Sequence, residues 1–408
     1  MNGFITKALH TRARVKDANG ALRTPIYENA AFEFDTAEDI DDVSIGKSIG
    51  HVYTRSSNPT VENFELSVKN LTNSLGVIAL GSGMAAIATT ILSLVKAGDS
   101  VITTKYLFGH TLAFFQNTLP SLGVNVKFVD ILDEKEVEKA CDKDVKLIFF
   151  ESISNPQLQV ADIEKLSKLS HSYGIPLVVD TTATPFYMFE AKKFGVDIEV
   201  LSSTKFISGG GTSVGGLIIE YGSFDWKKTP NLKPNYDKAG HFAFLHKARK
   251  EIFQGFGAVL SPHNAYLQTL GLETMALRID RACENTLSLA EWLEGKKEIK
   301  SVNYPSLKSS QFYDISKKQF KYAGSILTIE LEDKTAAYRF MNRLKIIRRA
   351  TNLHDNKSLI VSPYFVIYPF NSHEEKMALN ITTGLMRLSV GIENIEDLKE
   401  DIEQALGV

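Results

Sequence analysis

Short apolar runs recur through the middle of the chain, with helical patterns between several of them. The runs fall at 76–80, 100–104, 124–129, 145–150, 175–179, 198–201 and 216–219. Each has the length of a strand, and near-continuous apolar character suits strands buried on both faces. Between two of them Met84, Ile87, Ile91, Leu92 and Val95 recur at helical spacing, and Gly98 closes the pattern. Alternation of this kind over about 59–255 predicts a mostly parallel sheet with helices on both faces, an α/β fold. A long helical pattern covers about 262–294. Beyond it, 325–331 reads as a strand and 334–344 and 395–405 as helices. Residues 256–408 therefore predict a linker helix and a smaller α+β C-terminal domain. Residues 1–58 are turn-rich and poorly periodic, the mark of a segment that is functional or completed by a partner.

Composition narrows the class. With 408 residues and 44% hydrophobic content, the chain exceeds one ordinary core, so two domains are expected. The net charge is −2 with mixed signs, which gives no basic stripe for nucleic acid. No apolar run reaches the roughly 18 residues of a membrane span. The N-terminal residues lack the apolar centre of a signal peptide. Cys141 and Cys283 are the two cysteines, without CxxC spacing. They predict neither a disulfide framework nor a zinc site. They suit small buried side chains in a reducing, cytoplasmic compartment.

Candidate chemistry begins at Leu201-Ser202-Ser203-Thr204-Lys205, which is followed by Gly209-Gly210-Gly211. A lysine at the end of an apolar strand is held near neutrality by desolvation, and a neutral amine forms a Schiff base with an aldehyde. Ser202 and Thr204 suit an anionic phosphate, and glycines permit close approach. A strand end capped by a Ser/Thr turn is the plainer account of the same residues. The run 175–179 delivers Asp180 to the same sheet edge, where open α/β folds bind ligands. A carboxylate there is what the pyridine nitrogen of pyridoxal phosphate needs. Gly81-Ser82-Gly83-Met84 joins a strand to a helix, whose free N–H groups suit an anion.

In order and spacing these pieces resemble the Cys/Met-metabolism family of pyridoxal-phosphate enzymes. The resemblance runs nearly end to end, through Tyr53-x-Arg55-x-x-Asn58-Pro59-Thr60, Gly81-Ser82-Gly83-Met84-Ala85-Ala86, Glu151-x-x-x-Asn155-Pro156, Asp180, Ser202-x-Thr204-Lys205, Gly215-Gly216 and Arg387-Leu388-Ser389-Val390-Gly391-Ile392-Glu393. It implies the type I (aspartate aminotransferase-like) fold, with residues 1–58 as an arm reaching a neighbouring subunit. It implies a homotetramer built from two active dimers, acting on a small amino-acid substrate and a sulfur donor. By residue, it makes Lys205 the Schiff-base lysine and Asp180 the partner of the pyridine nitrogen. Gly83 and Met84 hold the phosphate through backbone N–H, with Ser202 and Thr204. Tyr53 and Arg55 grip the phosphate of the neighbouring subunit, and Tyr53 also meets substrate. Asn155 bonds the ring oxygen, Glu151 orders the site, and Thr182 contacts the ring. Arg387 anchors the substrate α-carboxylate, and Asn352 assists it.

Two departures stand out. The ring-stacking tyrosine of the family is Phe108 here, in Phe108-Gly109-His110-Thr111. It keeps the stacking of the catalytic position but loses a proton donor. Tyr106 does not replace that donor, and His110 reads as loop structure. The family's His-Pro-Ala-Ser-Thr-Thr-His motif is replaced by the unlike segment 362–370, which alters the distal substrate pocket. Gly222-x-Phe224-Asp225-Trp226, with 260–265, Gly271-Leu272-Glu273-Thr274 and 302–305, resembles the sulfhydrylase branch. That branch implies γ-replacement on O-acetylhomoserine to give homocysteine. Cystathionine synthesis and γ-elimination of methionine or cystathionine are the alternatives.

Overall fold

The computed structural model describes residues 3–11, 14 and 16–407. Seven strands form the larger sheet: β1 (Gly76–Leu80), β2 (Ser100–Thr103), β3 (Asn125–Phe128), β4 (Val145–Glu151), β5 (Leu177–Asp180), β6 (Ile198–Leu201) and β7 (Gly216–Glu220). Their order is β1-β7-β6-β5-β4-β2-β3. Strands β2 to β6 pair in parallel, and β7 runs antiparallel to both β1 and β6. Every predicted run became a strand. Side chains alternate between two apolar layers, as period-2 geometry requires. Ile148, Phe150, Leu177 and Val179 enter one layer. Leu147, Phe149, Val178 and Val200 enter the other.

The helix Pro262–Glu294 starts at Ser261, whose hydroxyl accepts from Asn264 N at 3.2 Å, with Pro262 in the first turn. It buries Leu272, Met275, Ile279, Cys283 and Leu293 in the same core as the second sheet. That sheet contains β8 (Ser301–Asn303), β9 (Ile326–Glu330), β10 (Arg348–Arg349), β11 (Leu359–Val361) and β12 (Leu385–Ser389). Its order is β10-β11-β12-β9-β8, antiparallel except for β10 with β11. Of these only β9 was legible as an apolar run. The others are two to five residues long, and β12 carries an arginine in its centre. Cys283 is buried, whereas Cys141 is only half-buried, packed against the edge of the same core at a helix end. Among the described residues no helix is long and apolar enough to cross a membrane.

The N-terminal segment is more ordered than its pattern predicts. It forms helices Phe4–His10 and Ala37–Ser44, the latter capped by Thr36 and opened by Glu38 and Asp39. Arg23 bonds Glu273 through both nitrogens at 2.6 and 2.8 Å, and Asn58 Nδ2 donates to Tyr27 O at 2.8 Å. The segment is thus pinned to its own chain at several points. Leu22, Ile45 and Ile49 nevertheless remain strongly exposed.

Candidate active site

Strands β4, β5 and β6 end side by side, and register places Glu151 opposite Asp180 and Asp180 opposite Val200. Asp180 Oδ1 accepts Thr182 N at 2.8 Å, and Thr182 Oγ1 accepts Ser202 N at 2.9 Å. These bonds lock the loop after β5 to the loop that carries Lys205. Strand alternation does not extend to Thr182, because β5 stops at Asp180; its hydroxyl joins two loops. Burial raises the Asp180 carboxyl to about 6 and holds the Lys205 amine down to about 8, aided by the charge of Arg387. Lys205 Nζ donates to Asn352 Oδ1 at 2.8 Å.

Glu151 receives two main-chain bonds, from Phe108 N at 2.7 Å and Asn155 N at 3.1 Å. One carboxylate on a rigid strand end therefore positions both loops. Burial and the neighbouring Asp180 push it well above the usual carboxyl range. Asn155 Oδ1 in turn accepts from Arg387 Nη1 at 3.2 Å. A continuous chain of contacts thus runs from Phe108 through Glu151, Asn155, Arg387 and Asn352 to Lys205.

Arg387 is 2% exposed and forms no ion pair among the described residues. Its Nη2 reaches only the carbonyls of Thr351 at 3.4 Å and Asn352 at 3.2 Å, and its Nε has no partner. A buried cation with an orphaned donor is costly unless an anion completes it. A carboxylate taken in bidentate fashion is such an anion.

Two of the residues expected to meet a phosphate come together where Gly83 packs on Ser202. A Cβ at Gly83 would sit 2.8 Å from Ser202 Cβ, so only glycine permits this approach. The N–H groups of Gly83 and Met84 lie in the first turn of helix Gly83–Leu94 and have no intrahelical acceptor. Thr204 is differently engaged: its hydroxyl donates to Gly215 O at 3.2 Å and accepts Gly215 N at 3.0 Å. Tyr53 and Arg55 do not join these residues. Both are exposed, and Arg55 Nη1 donates to Gln254 O at 2.7 Å. The donor set fits pyridoxal phosphate: a lysine of lowered basicity, a carboxyl raised by burial, and free helix N–H groups.

Sequence reasoning missed several residues here. Asp355 accepts Asn352 Nδ2 at 2.9 Å. His354 stacks on Phe206 with ring centroids 4.2 Å apart, and burial keeps it neutral. Arg278 Nη1 bonds Phe206 O at 2.7 Å. Gly209, Gly210 and Gly211 all have positive φ, and they are closely approached by Gly271 and Arg278, by Asn356, and by Asp355 and Asn352 respectively. A Cβ at Gly210 would meet Asn356 Nδ2 at 2.9 Å, and one at Gly211 would meet Asp355 Oδ2 at 2.8 Å. The repeated glycine after Lys205 was the available signal. Its partner, far along the chain, was not legible.

The family model for Cys/Met metabolism PLP-dependent enzymes matches residues 5–407. A solved structure of O-acetylhomoserine sulfhydrylase from Wolinella succinogenes is 65% identical, covers 86% of this chain and 99% of its own, and superposes with a TM-score of 0.80. A Campylobacter jejuni structure described as a candidate O-acetylhomoserine (thiol)-lyase, carrying a pyridoxyl-lysine phosphate, is 32% identical over the full length of both, with a TM-score of 0.92. The L-methionine gamma-lyase of Fusobacterium nucleatum subsp. nucleatum is 36% identical over 99% of this chain and 98% of its own.

Proposed function

Since the chain belongs to the Cys/Met metabolism enzymes that depend on pyridoxal phosphate, we propose that it performs γ-replacement on O-acetylhomoserine with sulfide or a related sulfur donor. The products are homocysteine and acetate. When bound, pyridoxal phosphate supplies an electron sink for the bond broken at Cα.

The chain's own residues do the rest. Arg387 takes the substrate α-carboxylate and so fixes which Cα bond faces the lysine. The Lys205 amine, held near neutrality, removes the Cα proton and shuttles a proton at Cβ. Asp180 keeps the pyridine nitrogen protonated, Asn155 bonds the ring oxygen, and Thr182 contacts the ring. Gly83, Met84 and Ser202 hold the phosphate, Thr204 joins them by turning its hydroxyl away from Gly215 O, and Tyr53 and Arg55 come from a neighbouring subunit. Exposure of Leu22, Ile45 and Ile49 on the arm supports that shared site and an assembly of two active dimers into a tetramer. We assign residues 1–58 to the arm, 59–255 to cofactor binding, and 256–408 to the linker helix and small domain. The two unpaired cysteines support a cytoplasmic location.

The observation that carries the acetyl ester over a thioether as substrate is Phe108. Its main chain is clamped by Glu151, and its ring has no hydroxyl. A departing thiolate is basic and gains from a proton donor. Acetate is a weak base and leaves without one. Likeness to a methionine gamma-lyase favours elimination as the second reading. A product screen separates them. O-acetylhomoserine with sulfide, methanethiol or cysteine is compared with methionine and cystathionine alone. Homocysteine from the acetyl ester and sulfide, far faster than any thioether cleavage, is expected. Equal rates overturn the reading.

A further inference from the structure

We infer that Asp355 is a positioning residue for Lys205, acting through the side-chain amide of Asn352. The inference rests on the reading of Lys205 as the proton-transferring lysine.

Asn352 stands between a donor and an acceptor. Lys205 Nζ donates to its Oδ1 at 2.8 Å, and its Nδ2 donates to Asp355 Oδ2 at 2.9 Å. A carboxylate has only acceptors to offer and an ammonium only donors. One orientation of the amide satisfies both neighbours, and the flipped one sets its oxygen against the carboxylate of Asp355. Asp355 thereby turns the amide oxygen towards the lysine. Asp355 is itself held: its Oδ1 accepts Lys357 N at 3.1 Å. It forms no ion pair among the described residues, so no adjacent cation neutralises it. The glycines seal the arrangement. A Cβ at Gly211 would lie 2.8 Å from Asp355 Oδ2 and 3.0 Å from Asn352 Nδ2, on top of the bond. The same turn offers Arg387 the carbonyls of Thr351 and Asn352. Lysine and carboxylate anchor are therefore referenced to one six-residue turn, 351–356.

The charged groups facing the amine are Arg387, which lowers its basicity, and Asp355, which raises it. His354, behind Phe206, is neutral. Removal of the Asp355 charge must therefore make Lys205 easier to deprotonate.

The test reads Lys205 in cofactor-free protein by limiting acetylation across pH, with peptide mass spectrometry. The wild-type midpoint is expected near the value of about 8. Asp355→Asn should move it down, as should Asn352→Ala, and Asp355→Glu should restore part of the shift. In loaded enzyme Asp355→Asn should lower kcat roughly 10- to 100-fold with little change in the amino-acid KM. The double variant Asp355→Asn/Asn352→Ala should be no worse than Asn352→Ala alone. An unmoved midpoint in either folded single variant, or additive losses in the double variant, overturns the inference. The labelling requires no substrate. A protein that rejects O-acetylhomoserine would refute the proposed reaction and leave this result standing.

Discussion

Two arginines have their basicity lowered by burial and sit in opposite surroundings. Burial lowers both Arg278 and Arg387 to about 10. Arg278 is satisfied at every nitrogen: Nη1 on Phe206 O at 2.7 Å, Nη2 on Gly271 O at 2.6 Å, and Nε on Thr274 Oγ1 at 3.2 Å. Arg387 makes three contacts of 3.2 to 3.4 Å and leaves Nε bare. Arg278 closes a structural junction between the long helix and the lysine loop. Arg387 is unfinished, and so is the sheet edge around it. What separates them is whether the fold supplies the last partner. Burial and charge alone do not.

The largest effect should come from the open side. Lys205→Ala should fold, lose the borohydride-reducible bond to cofactor and lose turnover. Trapping of cofactor on another lysine would refute the assignment. Arg55→Ala should also be inactive, yet mixing the two variants should recover part of the activity through mixed dimers. No recovery after demonstrated subunit exchange would break the shared-site reading.

The second effect is a change of preference. General acid assistance is worth about 10²–10⁴-fold. Phe108→Tyr should raise cleavage of methionine or cystathionine by some of that range and leave sulfide transfer nearly unchanged. Equal response of both reactions would show that residue 108 does not choose between leaving groups.

The arginines themselves come third. Arg387→Met should weaken amino-acid binding roughly 10- to 100-fold, since charge-assisted bonds contribute about 1.5–3 kcal/mol each. It should leave cofactor-free stability within about 1 kcal/mol of wild type, because an unpaired buried charge is removed with its bonds. Arg278→Met should instead destabilise by at least about 2 kcal/mol, because it strands buried carbonyls. Denaturant titration of both variants measures the contrast, and equal losses would erase it.

The smallest effect is a pH slope. Asp180 titrates at about 6 in the fold, above its ordinary value. The folded state then holds more protons, so stability is greatest below the ordinary carboxyl range and falls as pH rises to about 6. Glu199 and Glu220, raised by burial to about 7, extend the fall. The thermal midpoint of cofactor-free protein should decline across this window, more shallowly in Asp180→Asn. An identical slope in the variant would exclude Asp180 as a source.

The large sheet was legible because its strands are apolar on both faces, which leaves a contiguous mark such as 175–179. The small sheet was not, since β10 is two arginines long and β12 buries Arg387 by tertiary contact. Lys205 and Asp180 were singled out because each lies at the end of an apolar strand, and Arg387 because it opens a motif that resembles the family's. His354 and Arg278 were not, because both meet Phe206 far along the chain, and Asp355 was not, because it reaches Lys205 only through the side chain of Asn352. The arm shows a third case. Its helix at Ala37–Ser44 carries a readable cap at Thr36, but buries none of its residues, so the apolar rhythm was missing.

Glu151 grips the main chain of Phe108 and Asn155, not their side chains. Position 108 is therefore a socket. The sheet delivers whatever side chain occupies it to one place at one angle, and the geometry survives the exchange. A replacement there changes the side chain on offer and leaves its main-chain anchor in place.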